Sequence, residues 1–227
     1  NQYRCKTWQT TCAPGEKVKT VPSRIKDRQC EACLNGTYTS SMNELKCLDW
    51  TICSAGSHVT KNPSNKFNRN CAQCNSGFYT TQKNQDSCRA WTTCGKGKYI
   101  LRNGTSSSDQ SCQKCEKGKF NNITNAIKCK SCDIGRFSSN AGADGCVDWK
   151  SCIPGEHTIV SPTKKVDRQC EACLNGTYTS SVNGLKCLDW TICPIGTAGL
   201  IKPSIHNDAK CQDCLPGKYN DEIGQFA

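Results

Sequence analysis

Cysteine gives this chain its greatest chemical reach: 22 of its 227 residues are Cys. The pattern C-x2-C recurs at Cys30/Cys33, Cys71/Cys74, Cys112/Cys115, Cys129/Cys132, Cys170/Cys173 and Cys211/Cys214. Such pairs can hold zinc or exchange disulfides. A zinc site needs four ligands, typically from two such pairs about 15–20 residues apart. Here successive pairs are usually 41 residues apart, with single cysteines between them. The three histidines, His58, His157 and His206, are read as sharing no repeat phase. Thioredoxin-type exchange requires C-x-x-C on a βαβ scaffold, and no such pattern is present. Nucleophilic catalysis requires a unique Ser or Cys with a placed base, whereas every cysteine here belongs to a ladder. No carboxylate pair stands out from the repeats. The expectation is a protein that is not an enzyme, with no metal and no cofactor.

The remaining role for so many cysteines is covalent stapling, at a density typical of disulfide scaffolds. The apolar fraction is 35% with Cys and about 25% without it. That is near the range in which burial no longer offsets the entropy of ordering. Disulfides must therefore replace a single hydrophobic core. They require an oxidising compartment, which places the chain outside the cell, on its surface or in a secretory lumen. No run of 18 apolar residues exists, so no membrane insertion by this segment is expected. The chain opens on Asn1 without a signal peptide and reads as a mature or partial segment of a larger protein. The net charge of +11 is spread along the whole length. It reads as a solvated Lys-rich surface rather than a nucleic-acid site.

The spacing of the cysteines is periodic. From Cys30 the separations run 3, 14, 6 and 18, a 41-residue period interrupted once by a 17-residue unit. Above it lies a 140-residue period: residues 27–53 and 167–193 differ only at Met42/Val182 and Glu44/Gly184.

Two loop types alternate. The short type, C-x2-G-x-[YF]-x8-C, carries Gly36, Gly77, Gly118, Gly135 or Gly176 and then Tyr38, Tyr79, Phe120, Phe137 or Tyr178. The glycine suits a tight turn with positive φ, and the aromatic can cover the neighbouring sulfurs. Each short loop is expected to be a small hairpin. The long type, C-x2-G-x11-[DN]-x2-C, places Asp27, Asn68, Asp109, Asp167 or Asp208 three residues before its last Cys. A short side chain there can accept backbone N–H bonds and fix the turn. Between the loops stands C-x2-W-x2-C, with Trp50, Trp91, Trp149 and Trp190; Trp8 follows Cys5 at the same offset with a linker one residue longer. These tryptophans are read as junction aromatics that stiffen the connection, the alternative being an exposed ladder for a partner. No helical period occurs. Spacing alone leaves the disulfide connectivity open.

These motifs resemble the cysteine-rich repeats of the tumour necrosis factor receptor superfamily, over essentially the whole chain. That family's usual repeat has six cysteines. Here Trp stands at the third and the long loop lacks the fifth, so both partners of one bond are missing together. The resemblance implies the simpler one-disulfide second module. It pairs Cys12–Cys30, Cys33–Cys47, Cys53–Cys71, Cys74–Cys88, Cys94–Cys112, Cys115–Cys129, Cys132–Cys146, Cys152–Cys170, Cys173–Cys187 and Cys193–Cys211, and leaves Cys5 and Cys214 with partners outside the chain. Each loop so closed is nominally worth about 3 kcal/mol.

The expected fold is thus small and disulfide-rich, mostly irregular with short β-hairpins, an elongated tandem array of cysteine-rich modules with no single core. Its divisions are the end of a preceding repeat (1–12), a long-loop module (12–30), repeats at 33–71 and 74–112, a short-loop module (115–129), repeats at 132–170 and 173–211, and a truncated start (214–227). The lone short-loop insertion is expected to produce a bend or a lateral contact around Cys129–Cys132. Sequons mark Asn35, Asn103, Asn122 and Asn175 as N-glycosylation candidates. The near-identity of two segments 140 residues apart favours an extracellular rod or filament whose partners are copies of itself or other surface and matrix proteins. The alternative is a ligand-binding ectodomain of a tumour-necrosis-factor-receptor-like receptor, with its ligand surface on stretches such as 59–70, 98–111 and 197–209.

Overall fold

The computed structural model describes residues 4–8 and 10–226. Among them there is no helix, and every regular element is a strand of two to five residues. The short loops are hairpins, pairing Thr37–Tyr38 with Leu48–Asp49, Phe78–Tyr79 with Arg89–Ala90, Lys119–Phe120 with Lys130–Ser131, Arg136–Phe137 with Val147–Asp148, and Thr177–Tyr178 with Leu188–Asp189. The long loops are hairpins too, which the sequence reading left unassigned. Glu16–Thr20 pairs with Gln29–Ala32, Ser57–Lys61 with Asn70–Gln73, Glu156–Val160 with Gln169–Ala172, and Thr197–Ile201 with Lys210–Asp213. Each carries an irregularity beside the closing cysteine, as where Val18 faces Cys30 and the register then jumps to Thr20. A bulge there adds twist where the covalent bond pulls the strands together.

The chain divides into two units, one formed by the residues up to Thr93 with Leu101–Cys112, the other by Cys94–Ile100 with the residues from Gln113 on. In the first unit the disulfides are Cys12–Cys30, Cys33–Cys47, Cys53–Cys71 and Cys74–Cys88. In the second they are Cys115–Cys129, Cys132–Cys146, Cys152–Cys170, Cys173–Cys187 and Cys193–Cys211. Cys94 and Cys112 are each disulfide-bonded as well. Cys5 and Cys214 are free. Among the described residues the buried apolar set is nine cysteines with Val18 and Ala126, so neither unit has a conventional apolar core.

What each unit buries instead is a short polar residue directly after the aromatic of the short loop: Thr39, Thr80, Asn121, Ser138 and Thr179. In the first unit the Gly15 N–H donates to both the carbonyl and Oγ1 of Thr39, at 3.1 and 2.8 Å, and the Thr39 hydroxyl donates to the Glu16 carbonyl. Gly56, Thr80 and Ser57 repeat this. In the second unit Gly155, Thr179 and Glu156 do the same, while Asn121 and Asn220 use their amide to reach the carbonyls of Lys98 and Thr197. Buried polar groups are tolerable only when bonded in this way. Gly97 shows why the residue that donates the N–H is glycine: its φ is +74°, and a Cβ would stand 2.0 Å from the Gly142 carbonyl oxygen.

A second clamp lies further along each short loop. Asn43, Asn84, Asn125 and Asn183 adopt left-handed backbone, with φ of 62°, 55°, 52° and 61°. Asparagine tolerates that region because its side chain bonds locally. Each donates its N–H to the carbonyl of a preceding cysteine (Cys12, Cys53, Cys94 or Cys152) and accepts that cysteine's N–H on Oδ1. Gly142 and Gly224 take the same position and keep only the backbone bond, to Cys115 and Cys193.

Within the second unit this chemistry passes through the extra short module. Gly118 donates to Ser138, Cys132 to Gly118 and Gly142 to Cys115, at 2.9, 2.9 and 2.7 Å. The main-chain bonds around Cys129–Cys132 therefore match those of the other junctions, while the side-chain bonds differ: the Ser138 hydroxyl donates to the Asn140 carbonyl, and Gly142 has no side-chain amide to offer Cys115. A short module presents to its successor the same carbonyl and N–H groups as a long one.

Thr179→Val removes the bridging hydroxyl without changing side-chain volume. The expected cost is about 1–2 kcal/mol of local stability. Amide hydrogen exchange should quicken at Gly155 and leave Gly15 unchanged, because contacts in such arrays are between neighbours.

Candidate protein-interaction surface

Each long-loop hairpin ends in a tip with a constant frame. Pro or Gly precedes Ser or Thr, then come three variable residues and Asp or Asn: 22–27, 63–68, 104–109, 162–167 and 203–208. The Ser or Thr caps its own turn, as where Thr163 Oγ1 accepts the N–H groups of Lys165 and Val166. The acidic or amide residue then staples the tip to the strand entering the module. Asp167 Oδ1 accepts from the N–H of Lys150 and Arg168, both at 2.7 Å. Asn68, Asp109 and Asp208 make the equivalent pair of bonds. The residue type and spacing read from the sequence thus do the work anticipated for them.

The tryptophans hold the other side of the tip. The indole N–H of Trp50, Trp91, Trp149 and Trp190 donates to the carbonyl of Ser64, Thr105, Thr163 and Ser204, at 3.0 to 3.1 Å. These four are half-buried. Trp8, with its longer linker, makes a longer bond of 3.4 Å to Ser23 and is 61% exposed. Gly104 packs so closely on Trp91 that a Cβ would sit 2.4 Å from the ring. Arg28, Arg69 and Arg168, next to the acidic position, donate to the carbonyls of Thr10, Thr51 and Lys150. Arg69 and Arg168 also reach the left-handed Asn84 and Asn183.

Main chain alone fixes the first variable residue. The carbonyls of Asn65, Ser106, Lys164 and Ile205 accept the N–H of the buried Thr39, Thr80, Ser138 and Thr179. No particular side chain is needed for that bond, and the tip triplets are unlike: Arg24–Ile25–Lys26, Asn65–Lys66–Phe67, Ser106–Ser107–Ser108, Lys164–Lys165–Val166 and Ile205–His206–Asn207. Ile25 is 89% exposed and Phe67 53%. Each unit thus carries framed tips with unlike side chains, most of them exposed, while Ser106, Ile205 and Asn207 are half-buried.

The frame also moves two carboxylates. The Thr92 hydroxyl, then its N–H and that of Gln110, hold Asp109 below the ordinary carboxylate range, with Tyr79 adding a smaller effect. Thr191, Ala209 and Tyr178 do the same for Asp208. Burial, and then the charge of Asp208, push Tyr178 up.

The other residues singled out by sequence fall as follows. Asn35, Asn103, Asn122 and Asn175 are exposed. The histidines require a correction. His58 and His157 share one repeat position, five residues after Cys53 and Cys152, and each touches a cystine sulfur. The sequence reading also passed over the polar residue after each aromatic, the left-handed Asn and the Ser or Thr of the tip. All three recur in register, so aligning the modules would have found them.

Residues 33–71 and 74–112 match the model of the TNFR/NGFR cysteine-rich region. These two segments are cysteine-rich repeats of the TNF-receptor type. Each matched segment runs from the opening cysteine of a short loop to the closing cysteine of a long one, tip included. Such disulfide-rich modules belong outside the cell or on its surface. The chain is also similar in structure to a chain of the human RANKL/OPG complex, with 18% identity, coverage of 74% of this chain and 93% of that one, and a TM-score of 0.30. For a chain of the mouse RANKL–OPG complex the values are 24%, 54%, 89% and 0.27. No curated protein matches the chain. No helix among the described residues is long and apolar enough to cross a membrane.

The depressed native values set the sign of the pH dependence. Ionised Asp109 and Asp208 stabilise their tips at and above the ordinary carboxylate range, and that contribution is lost as pH falls through the lower native values. Carboxyl-carbon NMR titration should show both midpoints below those of a free aspartate. Thr92→Val should move the Asp109 midpoint upward and leave Asp208 where it is.

Proposed function

We propose that the chain is a non-catalytic binding module, the ectodomain of a TNF-receptor-like surface receptor whose long-loop tips contact a protein ligand. The observation that carries this reading is the contrast between a constant frame and variable, mostly exposed tip triplets inside the two segments that match the family model. Selection for a rigid frame with unlike side chains on it suits recognition of a partner. The disulfide pattern then serves as scaffold, with Cys5 and Cys214 joined to partners beyond this chain. N-glycans on the exposed Asn35, Asn103, Asn122 and Asn175 complete the surface.

A second reading, the extracellular rod favoured first by the sequence, keeps one specific support. Segments 27–53 and 167–193 are nearly identical, and the junction bonds repeat through the extra module. Equivalent contacts repeated along a polymer would use such identity.

Surface plasmon resonance with the oxidised, glycosylated chain separates the two. It is run against cytokines of the tumour necrosis factor type and against the chain itself. The receptor reading expects a cytokine to bind, and expects exchange of both triplets 65–67 and 106–108 to weaken binding more than tenfold, as for loss of a binding hot spot. Met42→Val should leave binding unchanged. Self-binding with filaments in electron micrographs, and no cytokine bound, would establish the rod instead.

A further inference from the structure

Two histidines lie against disulfides at equivalent places. His58 Nδ1 is 3.3 Å from Cys88 Sγ, and His157 Nδ1 is 3.3 Å from Cys187 Sγ. In each group the ring nitrogen and both sulfurs of the cystine, Cys74–Cys88 or Cys173–Cys187, lie within 4.8 Å of one another. The same repeat position holds Lys17, Tyr99 or Ala198 in the other modules. Lys17 is drawn to Glu31, at 3.4 Å. Cys74 and Cys173 are buried, while Cys88 and Cys187 are half-exposed. At the second place a groove of about 480 Å³, lined in part by His157, Leu174 and Leu185, opens onto Cys187.

We propose that Cys74–Cys88 and Cys173–Cys187 are thiol-exchange sites, opened by a small-molecule thiol with the adjacent imidazolium assisting. The incoming thiolate attacks the accessible sulfur of Cys88 or Cys187. A mixed disulfide forms there as the bond to Cys74 or Cys173 breaks, and the electron pair leaves on that buried sulfur. The imidazolium, within 4.8 Å, gives the departing thiolate its proton. A second molecule of thiol then attacks the mixed disulfide on its own sulfur, releasing the oxidised thiol dimer and a second cysteine thiol. Two thiols are oxidised and one cystine is reduced. A cation beside the reacting sulfurs speeds this step because negative charge is shared between the entering and leaving sulfur in the transition state, and a leaving thiol of lower pKa departs faster. The loops so opened carry Thr80 and Asn84, or Thr179 and Asn183, the residues that clamp the preceding module. Exchange at these two cystines would loosen those junctions while the others stay locked.

The test uses the full oxidised chain, reduced glutathione as the thiol, and quenching by an alkylating reagent at timed intervals. Mass spectrometry of the peptides follows each cystine separately. Cys74–Cys88 and Cys173–Cys187 are expected to open about threefold or more faster than Cys33–Cys47 and Cys115–Cys129, the short loops facing Lys17 and Tyr99. His58→Gln and His157→Gln should each slow only the facing cystine, with unchanged rates elsewhere reporting an intact fold. Tyr99→His should accelerate Cys115–Cys129. Equal rates among the short-loop cystines, or no acceleration in Tyr99→His, would overturn the proposal, and the second outcome decides even where a glutamine variant misfolds.

Discussion

Everything in this protein depends on one constraint: among the described residues its modules have no conventional apolar interior, so neighbouring modules must be joined by hydrogen bonds from the main chain and from short polar side chains. The cystines close each loop but do not join one module to the next. That joining falls to the left-handed Asn, bonded twice to a cysteine of the module before, and to the buried Thr, Asn or Ser that receives a glycine N–H. Once these bonds exist, much else follows. Glycine is required where the two chain segments meet, the short loop must have a fixed length, and the exposed Leu, Ile and Val scattered over the surface cost the fold nothing it was using.

Much of this was legible in the sequence, because covalent geometry writes itself into spacing. The cysteine ladder, the turn glycine, the aromatic, the acidic residue before the closing Cys and the tryptophan each have one sequence position and one bonding task. The long-loop hairpins were less visible. Their strands, such as SHVTK, face solvent on much of their surface, so the alternation of apolar and polar residues that usually marks a strand is weak. The buried polar residues were missed for a related reason. Thr39 and Asn121 look like ordinary hydrophilic loop residues, and only their packing against a glycine N–H makes them interior. The left-handed Asn gives no signal beyond recurrence. The phase of His58 and His157 was there to be found, but the single 17-residue unit between them breaks simple counting by 41.

The candidate surface was half legible. The variable stretches of the long loops were recognisable as such, but not the reason they vary. Asn65, Ser106, Lys164 and Ile205 stand at one structural position with four unlike side chains, because the contribution they share is a carbonyl. Sequence variation there is thus released by a backbone bond, while residues two or three positions away are held by side-chain bonds.

The uniformity of the junctions has a consequence for how such a chain changes over generations. Cys115 opens a short module yet offers its carbonyl to Gly142 as Cys12 offers its own to Asn43. A unit of 17 or 41 residues can therefore be gained or lost without new contacts having to arise on either side of the splice. Unequal recombination between near-identical segments would yield chains of different length that are all foldable at birth.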